Sequence, residues 1–520
     1  MSWVVRKILR GAMIFISWFV VPYSWMKVWR IPRHKLPPMN NSLLEIPATD
    51  LAQMIRVRQV KSENVVQAYI DRCKQVNPYL NAIVQERFDE AVTEARAVDE
   101  FLASTQKSLE DIEKDTPLLG VPVTVKESIG LAGMSNQGGM RFQTPRIAHE
   151  DAPSVAQVRK CGAIFLLVSN TPELCMLWET YNLVTGQTRN PYDLRRSPGG
   201  SSGGESSLLG AGASLLGLTS DIGGSARLPA MYTGVFGHKP TPFVVSPQGH
   251  VPTSTDPRWG EFFTIAPMTR YAVDLPLLLR CMSDPQGQEI DLNTPVDVNK
   301  LNYFYMDSDG ESGLIRPLTS DMQDAILRVA QHFNAQKVHM ELLKWSFDVS
   351  ISRLLRIKDI ETIYNQMLDT EKNRKLSTEW LKYLFGCSRH TFPAVLLGYL
   401  QKFAEILPQS RHDHFERISN ELKHQFLQML GTNGVLIYPS FPTSAHQHYR
   451  IYHKILDTTY MMIFNVLGFP VTNVMVGYDK KNLPVGVQIV AAPRNDRLCL
   501  AVAKELEHAF GGWQKPPQST

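Results

Sequence analysis

Cysteine is scarce in this chain, and the spacings that metal sites require are missing. Six cysteines are spread over 520 residues, which is too few for a disulfide framework. The sequence contains neither a C-x-x-C pair nor H-E-x-x-H, so it carries no zinc signature. We therefore expect reduced thiols, no structural metal and no cofactor. The redox compartment stays open.

An excess of charge of one sign is also missing. The chain has 54 Lys and Arg residues against 50 Asp and Glu, a net charge of +4. This charge is too weak and too diffuse to favour a nucleic-acid partner. The hydrophobic share of 43% and charged share of 20% exclude a disordered chain, a collagen and a coiled coil. No polar gap after residue 45 is long enough to mark a domain boundary, so we expect one domain over 45–515.

The N-terminal region, residues 1–35, is predicted to be a hydrophobic membrane anchor. Its uncharged part, residues 11–26, is shorter than the roughly 20 residues that a straight spanning helix needs, and Pro22 would kink it. Trp18 and Trp25 are typical of membrane interfaces. A single span, a kinked helix lying among headgroups and an ordinary buried helix all stay open. A cleaved signal peptide is disfavoured because no A-x-A site follows, and basic residues on both sides leave the orientation undecided.

Helical and strand patterns alternate along the rest of the chain. Helices are predicted over 48–113, with Ser62 as an N-cap, and over 319–333 and 498–510. Short apolar strands are predicted over 116–126, 163–168, 435–438 and 485–490. Such alternation predicts an α/β fold, with a mixed β-sheet core sandwiched by helices.

Residues 199–225 read GGSSGGESSLLGAGASLLGLTSDIGGS, and nine of the 26 residues from Gly199 to Gly224 are glycine. The tract contains no Lys, which excludes a P-loop, and Leu215 stands where a dinucleotide fingerprint needs its third Gly. Leucines alternating with small residues exclude a flexible linker and indicate a tightly packed helix.

Part of this tract also matches a different hydrolase motif. Residues 200–204 fit G-x-S-x-G, the nucleophile elbow of α/β-hydrolases, which would make Ser202 the nucleophile of a Ser-His-Asp enzyme. Three downstream histidines are candidates for its base, although none has a distinctive context: His446, His448 and His453. This alternative stays open.

Taken whole, the tract resembles the amidase signature, in which GGSSGG is followed, 24 residues after its first Ser, by the Ser of DIGGSARLPA. Further segments match in family order: PVTVKES (122–128), SNTPEL (169–174), NPYDLRRSPGGSSGG (190–204), GHKP (237–240), YPSFPT (438–443) and LPVGVQIV (483–490). The chain resembles amidase-signature hydrolases from about residue 45 to about residue 510. The resemblance implies the amidase-signature fold.

The resemblance further implies a Ser–Ser–Lys triad. Ser225 is the expected nucleophile, Ser201 the middle serine, whose peptide bond with Gly200 is cis in the family, and Lys126 the terminal base. Ser202 is then expected to support the network. This chemistry has one requirement: a lysine can act as a base only when its pKa falls from about 10.4 toward roughly 7–8. Lys126 ends an apolar strand, a setting that can desolvate an ammonium.

The DIGGS segment is expected to form the oxyanion hole. Its successive backbone N–H groups can converge on a developing alkoxide, and the Gly-Gly pair permits the required turn. The expected donors are Ile222, Gly223, Gly224 and Ser225. Asp221 is either a supporting residue or a simple turn or cap residue. Arg227 is expected to pair with a carboxylate such as Asp221.

The tract implies attack on an acyl carbon, and two features favour a lipid substrate. One is the anchor. The other is a helical apolar face within 390–408, in the region where the family's integral-membrane members place a membrane-facing cap, although the face would also suit a protein core. The residues of this face are Phe392, Val395, Leu396, Tyr399, Leu400 and Phe403. We therefore expect a serine hydrolase that cleaves N-acylethanolamines and primary fatty-acid amides to fatty acid and amine through an acyl-enzyme.

Besides the nucleophile-elbow enzyme, three alternatives to this function stay open. They are an esterase or small-amide amidase on the same scaffold, a non-catalytic lipid-binding membrane scaffold, and a subunit of a tRNA-dependent amidotransferase. The predicted anchor disfavours the last of these. The expected partners are a lipid amide substrate and a membrane, without nucleic acid and with a homodimer left open. The expected location is a membrane, of the endoplasmic reticulum or a lipid droplet.

Overall fold

The computed structural model describes residues 3–31, 35–142, 144–287, 289–360, 376–404 and 408–518. Its helices are α1 (Trp3–Val28), α2 (Ala48–Arg56), α3 (Ser62–Leu80), α4 (Phe88–Ser104), α5 (Leu109–Asp115), α6 (Pro153–Lys160), α7 (Gly203–Gly210), α8 (Arg227–Thr233), α9 (Arg258–Phe262), α10 (Leu275–Met282), α11 (Ser320–His332), α12 (Ser346–Leu354), α13 (Leu376–Leu384), α14 (Phe392–Ala404), α15 (Gln409–Leu430), α16 (Thr459–Leu467) and α17 (Asp496–Phe510).

Its strands are β1 (Ile83–Glu86), β2 (Pro122–Lys126), β3 (Ile164–Ser169), β4 (Tyr181–Asn182), β5 (Gly186–Gln187), β6 (Leu216–Asp221), β7 (Phe236–Lys239), β8 (Thr264–Thr269), β9 (Asn302–Tyr305), β10 (Gln336–Lys337), β11 (Gly434–Pro439), β12 (Val471–Tyr478) and β13 (Pro484–Ala491). Within the described residues, eleven of them form one sheet in the order β1-β3-β2-β6-β8-β7-β12-β13-β11-β9-β10.

The sheet is mixed, as the sequence predicts. β2 runs parallel to both β3 and β6, whereas β6 is antiparallel to β8 and β12 is antiparallel to β13. Every residue of β2, β3 and β6 is buried, which explains why these strands are near-continuous apolar runs rather than alternating ones. Helices pack on the sheet, among them α8, α11 and α17 against β12 and β13.

The predicted elements are present, with differences at their borders. In the region 116–126 only Pro122–Lys126 is a strand, and the region 48–113, predicted to be helical throughout, also contains β1. Ser62 is the first residue of α3 and Lys61 is its N-cap. The prediction of Ser62 as the N-cap was therefore wrong by one position, and its hydroxyl instead donates to the carbonyl of Gly120 at 2.9 Å.

The leucine-rich part of the Gly tract was predicted to be helical, and that prediction is half wrong. α7 ends at Gly210, and residues from Leu216 onward form β6 in the centre of the sheet. Gly212, with a φ of +75°, takes a left-handed conformation between the two elements. A short run of apolar and small residues fits a buried helix and a buried strand equally well by periodicity.

Helix α1 is long and apolar enough to cross a membrane by length and composition. It is nevertheless in contact with the protein near both of its ends. The guanidinium of Arg6 donates to a carboxylate oxygen of Asp348 at 2.9 Å, and the hydroxyl of Ser24 donates to the carbonyl of His448 at 2.6 Å. Trp18 is 68% exposed on the outward side.

Candidate active site

The site lies where two neighbouring parallel strands end. Lys126 is the last residue of β2, and Ser220 and Asp221 are the last residues of β6. Because β2 and β6 pair in parallel, their carboxyl ends lie at the same edge of the sheet. The loop that carries Ser201, immediately before α7, reaches the same edge, as its contact with Lys126 shows.

The side chain of Lys126 is completely buried. Its Nζ lies 2.7 Å from Oγ of Ser201 and 2.9 Å from Oγ of Ser220. Burial lowers the pKa of this lysine below its ordinary value, because the charged form loses its hydration. A lysine that sheds its proton in this setting can accept one from a serine hydroxyl.

The peptide bond between Gly200 and Ser201 is cis. Gly200 is packed so closely that a Cβ on it would approach the backbone nitrogen of Glu179 to 2.5 Å. Only glycine therefore fits at this position. The carbonyl of Ser201 accepts a hydrogen bond from the hydroxyl of Thr171 at 3.1 Å, which further fixes the loop.

Ser225 follows β6 and lies beside the same loop. The backbone N–H of Ser202 donates to the carbonyl of Ser225 at 3.2 Å, which joins the DIGGS segment to the GGSSGG segment. Ser225 is 6% exposed, and it lines a cavity. The structure thus brings Lys126 and Ser201 into direct contact, with Ser225 joined to that loop through the backbone.

The glycines before Ser225 are held by two hydrogen bonds. The indole N–H of Trp178 donates to the carbonyl of Gly223 at 2.8 Å, and the N–H of Gly224 donates to Asp221 at 2.8 Å. The second bond corrects one expectation, since it occupies a donor that was assigned to the oxyanion hole. Among the hydrogen bonds of the described residues, the N–H groups of Ile222, Gly223 and Ser225 have no acceptor.

A buried ion pair supports this loop from behind. The guanidinium of Arg227 donates to both carboxylate oxygens of Asp221, at 3.0 and 2.9 Å, and neither side chain is exposed. Asn465 donates to the same carboxylate at 3.0 Å. Burial alone raises the pKa of Asp221, but Arg227 and the N–H of Gly224 outweigh it and hold this pKa well below its ordinary value. Asp221 therefore remains a carboxylate, and the expected pairing with Arg227 is present.

Ser202 is not arranged as a nucleophile. Its hydroxyl is buried and donates to the carbonyl of Ser220 at 3.4 Å. His448 is held by Glu179 and the carbonyl of Leu194. In the described part of the chain, neither His446 nor His453 makes a hydrogen bond to Ser202. The nucleophile-elbow interpretation is therefore not supported.

The cavity beside Ser225 has a volume of about 370 Å³ and mostly apolar walls. α12 contributes Phe347 and Ile351, and α14 contributes Phe392, Leu396 and Leu400. The apolar face of α14 therefore lines a cavity as well as packing internally, since Val395 is fully buried and Tyr399 packs against that same buried cluster. The side chain of Phe403 lies outside the described residues.

Cys175 lines the same cavity and lies close to Lys126 and His250. Burial by itself raises the pKa of this thiol, but Lys126 and His250, when they carry their protons and positive charges, outweigh burial and lower it to about 5. A thiolate here in turn favours the charged form of Lys126, although burial still lowers the pKa of Lys126 overall.

Sequence reasoning missed several residues of the site. Ser220 adjoins the DIGGS segment and was within reach of that reasoning. Trp178, Cys175 and His250 belong to other segments, and no spacing in the sequence links them to Lys126. Only the fold brings them to this edge of the sheet.

Comparison with known proteins gives a consistent result. The family model described as Amidase matches residues 64–500. Fatty-acid amide hydrolase 2-A of Danio rerio is 40% identical over 499 residues, covering 94% of this chain and 92% of that protein. Fatty-acid amide hydrolase 2 of Homo sapiens is 39% identical over 489 residues, covering 92% of each.

A solved structure named fatty acid amide hydrolase has a TM-score of 0.72 at 21% identity, covering 92% of this chain and 87% of that chain. At that identity the likeness shows the fold alone. The matches in sequence extend over nearly the whole chain and include the Gly- and Ser-rich tract. The chain belongs to the amidase family and is an amidase.

Proposed function

We propose that this amidase hydrolyses fatty-acid amides, N-acylethanolamines and primary amides, to a fatty acid and an amine. The observation that carries the proposal is the position of Ser225. This serine borders an apolar cavity of about 370 Å³, and its backbone is joined to the loop in which Ser201 contacts the buried Lys126. Relatives named fatty-acid amide hydrolase 2 share this substrate class in their names.

In the proposed acylation step, Oγ of Ser225 attacks the amide carbonyl carbon. The proton of Ser225 passes to Ser201, whose own proton passes to the neutral Lys126. The carbonyl oxygen becomes an oxyanion, which the free N–H groups of Ile222, Gly223 and Ser225 stabilise. One such donor is typically worth about 3–4 kcal/mol.

Collapse of this intermediate breaks the carbon–nitrogen bond. The leaving nitrogen takes a proton from Ser201, which is reprotonated by Lys126, and the amine departs. Water then attacks the acyl carbon and gives a proton through Ser201 to Lys126. The bond from that carbon to Oγ of Ser225 breaks as the proton returns through Ser201 to Oγ. The products are a free fatty acid and a regenerated Ser225.

Helix α1 supports membrane association, which fits a lipophilic substrate. The two contact points at Arg6 and Ser24 are 18 residues apart, or about 27 Å along a helix. A helix that spans a membrane needs about 30 Å of its length in the hydrocarbon core. Since α1 contacts the folded domain at two points about 27 Å apart, the stretch between them cannot be the part that crosses the core. We therefore propose that α1 lies in the plane of the interface, as the anchor of the domain over 45–515.

The test is a substrate profile of the purified full-length protein in phospholipid vesicles. Primary amides of 4, 8, 12 and 18 carbons, an N-acylethanolamine and an ethyl ester are compared by kcat/KM. Since each buried CH₂ contributes about 0.8 kcal/mol, kcat/KM should rise at least 100-fold from 4 to 12 carbons. The kcat/KM of an amide should also exceed that of the ethyl ester with the same acyl chain.

Two variants make the test specific. Ser225→Ala should lose both hydrolysis and labelling by a fluorophosphonate probe, whereas Ser202→Ala should keep its labelling. An activity independent of chain length would overturn the lipid assignment in favour of a small-amide amidase. Hydrolysis of the ester alone would favour an esterase, and activity retained in Ser225→Ala would overturn the proposed nucleophile.

A further inference from the structure

His250 lies in the loop between β7 and α9, is almost fully buried, and packs against the ring of Phe263 at 4.5 Å. Its Nδ1 is 2.8 Å from the carbonyl oxygen of Pro252. A carbonyl oxygen only accepts hydrogen bonds, so Nδ1 carries the proton. In the neutral ring, Nε2 is then an acceptor.

Two hydroxyl groups reach that acceptor. Oγ of Ser128 and Oγ of Ser220 each lie 3.0 Å from Nε2 of His250. The hydroxyl of Ser220 also lies 2.9 Å from Nζ of Lys126. Because a serine hydroxyl has a single hydrogen, the one that Ser220 gives to His250 is not available to Lys126. Nε2 has a single lone pair, which Ser128 and Ser220 can both reach. When Ser220 donates to it, Ser220 accepts from Lys126.

This direction matters for the base. A neutral lysine amine has two hydrogens and one lone pair. When one hydrogen is donated to Ser220 and the other to Cys175, which also hydrogen-bonds this amine, the lone pair is left to face Oγ of Ser201 at 2.7 Å. Without an acceptor at His250, the hydroxyl of Ser220 is free to donate to that lone pair and to compete with Ser201.

We propose that His250 is a positioning residue that acts through Ser220 to keep the lone pair of Lys126 directed at Ser201. The inference rests on the proposed function only in its use of Lys126 as the base. A titratable group that faces this ring is Cys175, from the segment 175–178 that lines the cavity, and Lys126 reaches the ring through Ser220. His250 is not among the residues that line the cavity beside Ser225.

The test measures the second-order rate of labelling of the full-length protein by a fluorophosphonate. In this reaction Oγ of Ser225 forms a bond to phosphorus, the phosphorus–fluorine bond breaks, fluoride leaves, and the serine proton ends on Lys126. The rate reports the nucleophile and its base whatever the natural acyl group is. Failure of the lipid assignment and failure of this inference are therefore distinguishable.

Two replacements of His250 separate the acceptor from the bulk of the ring. His250→Leu fills the space without an acceptor, and we expect labelling to slow about five- to tenfold, the effect of one lost hydrogen bond. His250→Gln keeps an acceptor oxygen for Ser220 and an N–H for Pro252, and should label within about twofold of the parent. If His250→Leu does not fold, His250→Asn, which is too short to reach Ser220, replaces it in the comparison.

Two further variants test the route. The hydroxyl of Ser128 contacts the same ring but makes no hydrogen bond to Lys126 within the described residues. The variant Ser128→Ala should therefore be labelled within about twofold of the parent rate. In a Ser220→Ala background, His250→Leu should cause no additional loss, because the two residues act in series. Normal labelling of His250→Leu, equal damage by Gln and Leu, or an additive loss in the double variant would each overturn the proposal.

Discussion

Nζ of Lys126 lies 2.7 Å from Oγ of Ser201, and both residues are buried. The contact joins the end of β2 to the loop before α7, two segments separated by 75 residues. Its consequences for charge can be measured without knowledge of the substrate.

The first prediction concerns stability and Lys126. Since burial lowers its pKa in the folded state, the unfolded chain binds more protons up to about pH 10.4. The folded state should therefore gain stability as the pH rises toward that value, by up to about 1.4 kcal/mol per pH unit. In Lys126→Met this gain is absent, so the parent should become more stable relative to the variant between pH 7 and pH 10.

Thermal midpoints of both proteins over this range measure the difference. Lys504, which is exposed on α17, offers a matched control, and Lys504→Met should follow the parent at every pH. A constant difference between parent and Lys126→Met would show that Lys126 keeps its proton in the folded state.

The second prediction concerns Cys175. A thiolate beside Lys126 favours the ammonium form, and it therefore raises the pKa of the lysine. Cys175→Ala removes this effect, so the pKa of Lys126 should fall further and the acid limb of kcat/KM should move to lower pH. Cys387→Ala, at an exposed cysteine after α13, should leave the limb in place. An unmoved limb in Cys175→Ala would mean that the thiol is uncharged in the active protein.

The site shows what the sequence could and could not predict. Ser201, Ser225 and Lys126 lie in motifs that keep their family order, so their identity could be predicted from local patterns. The directions of the hydrogen bonds around these residues could not be predicted. They depend on Trp178 and His250, and no sequence pattern links those two residues to the site. The same limit explains the donor at Gly224, because only the folded loop shows that its N–H faces Asp221.

The fold was predictable to a similar degree. Apolar runs of four to six residues gave the strands at 163–168 and 435–438 within one residue at either end. The alternation of small and apolar residues predicts a helix over 215–218, although such a short run fits a buried strand equally well. The pairing of β6 with β2 and β8 makes this segment a strand rather than a helix. Pairing between distant segments leaves no signal in the local sequence.

The third prediction concerns the ion pair behind the oxyanion loop. Asp221→Asn leaves the fully buried guanidinium of Arg227 without its counter-charge, and we expect a loss of about 3–5 kcal/mol in unfolding free energy at pH 7. The pKa of Asp221 is lowered in the folded state, so the parent's advantage should persist above about pH 4 and decline as the pH falls below it. Urea unfolding at pH 7 and pH 3 measures both values.

The exposed pair of Lys107 and Asp115 provides the control, since both side chains are about half exposed. Asp115→Asn should change the unfolding free energy far less than Asp221→Asn. An equally small effect of Asp221→Asn would show that Asn465 and the backbone donors hold the loop without the charge.

The fourth prediction concerns the outward face of α1. Phe15 and Phe19 are 56% and 63% exposed, and they contact each other on the side turned away from the protein. If this face lies in the lipid interface, each ring contributes about 1.5–3 kcal/mol to membrane binding, so Phe15→Asp and Phe19→Asp should each weaken vesicle binding at least tenfold. Co-sedimentation with phospholipid vesicles measures the effect on the full-length protein.

Leu109→Asp, at a 51% exposed apolar position that begins α5, should bind as the parent does. Unchanged binding of both Phe variants would place the membrane contact elsewhere and leave α1 as a packing helix.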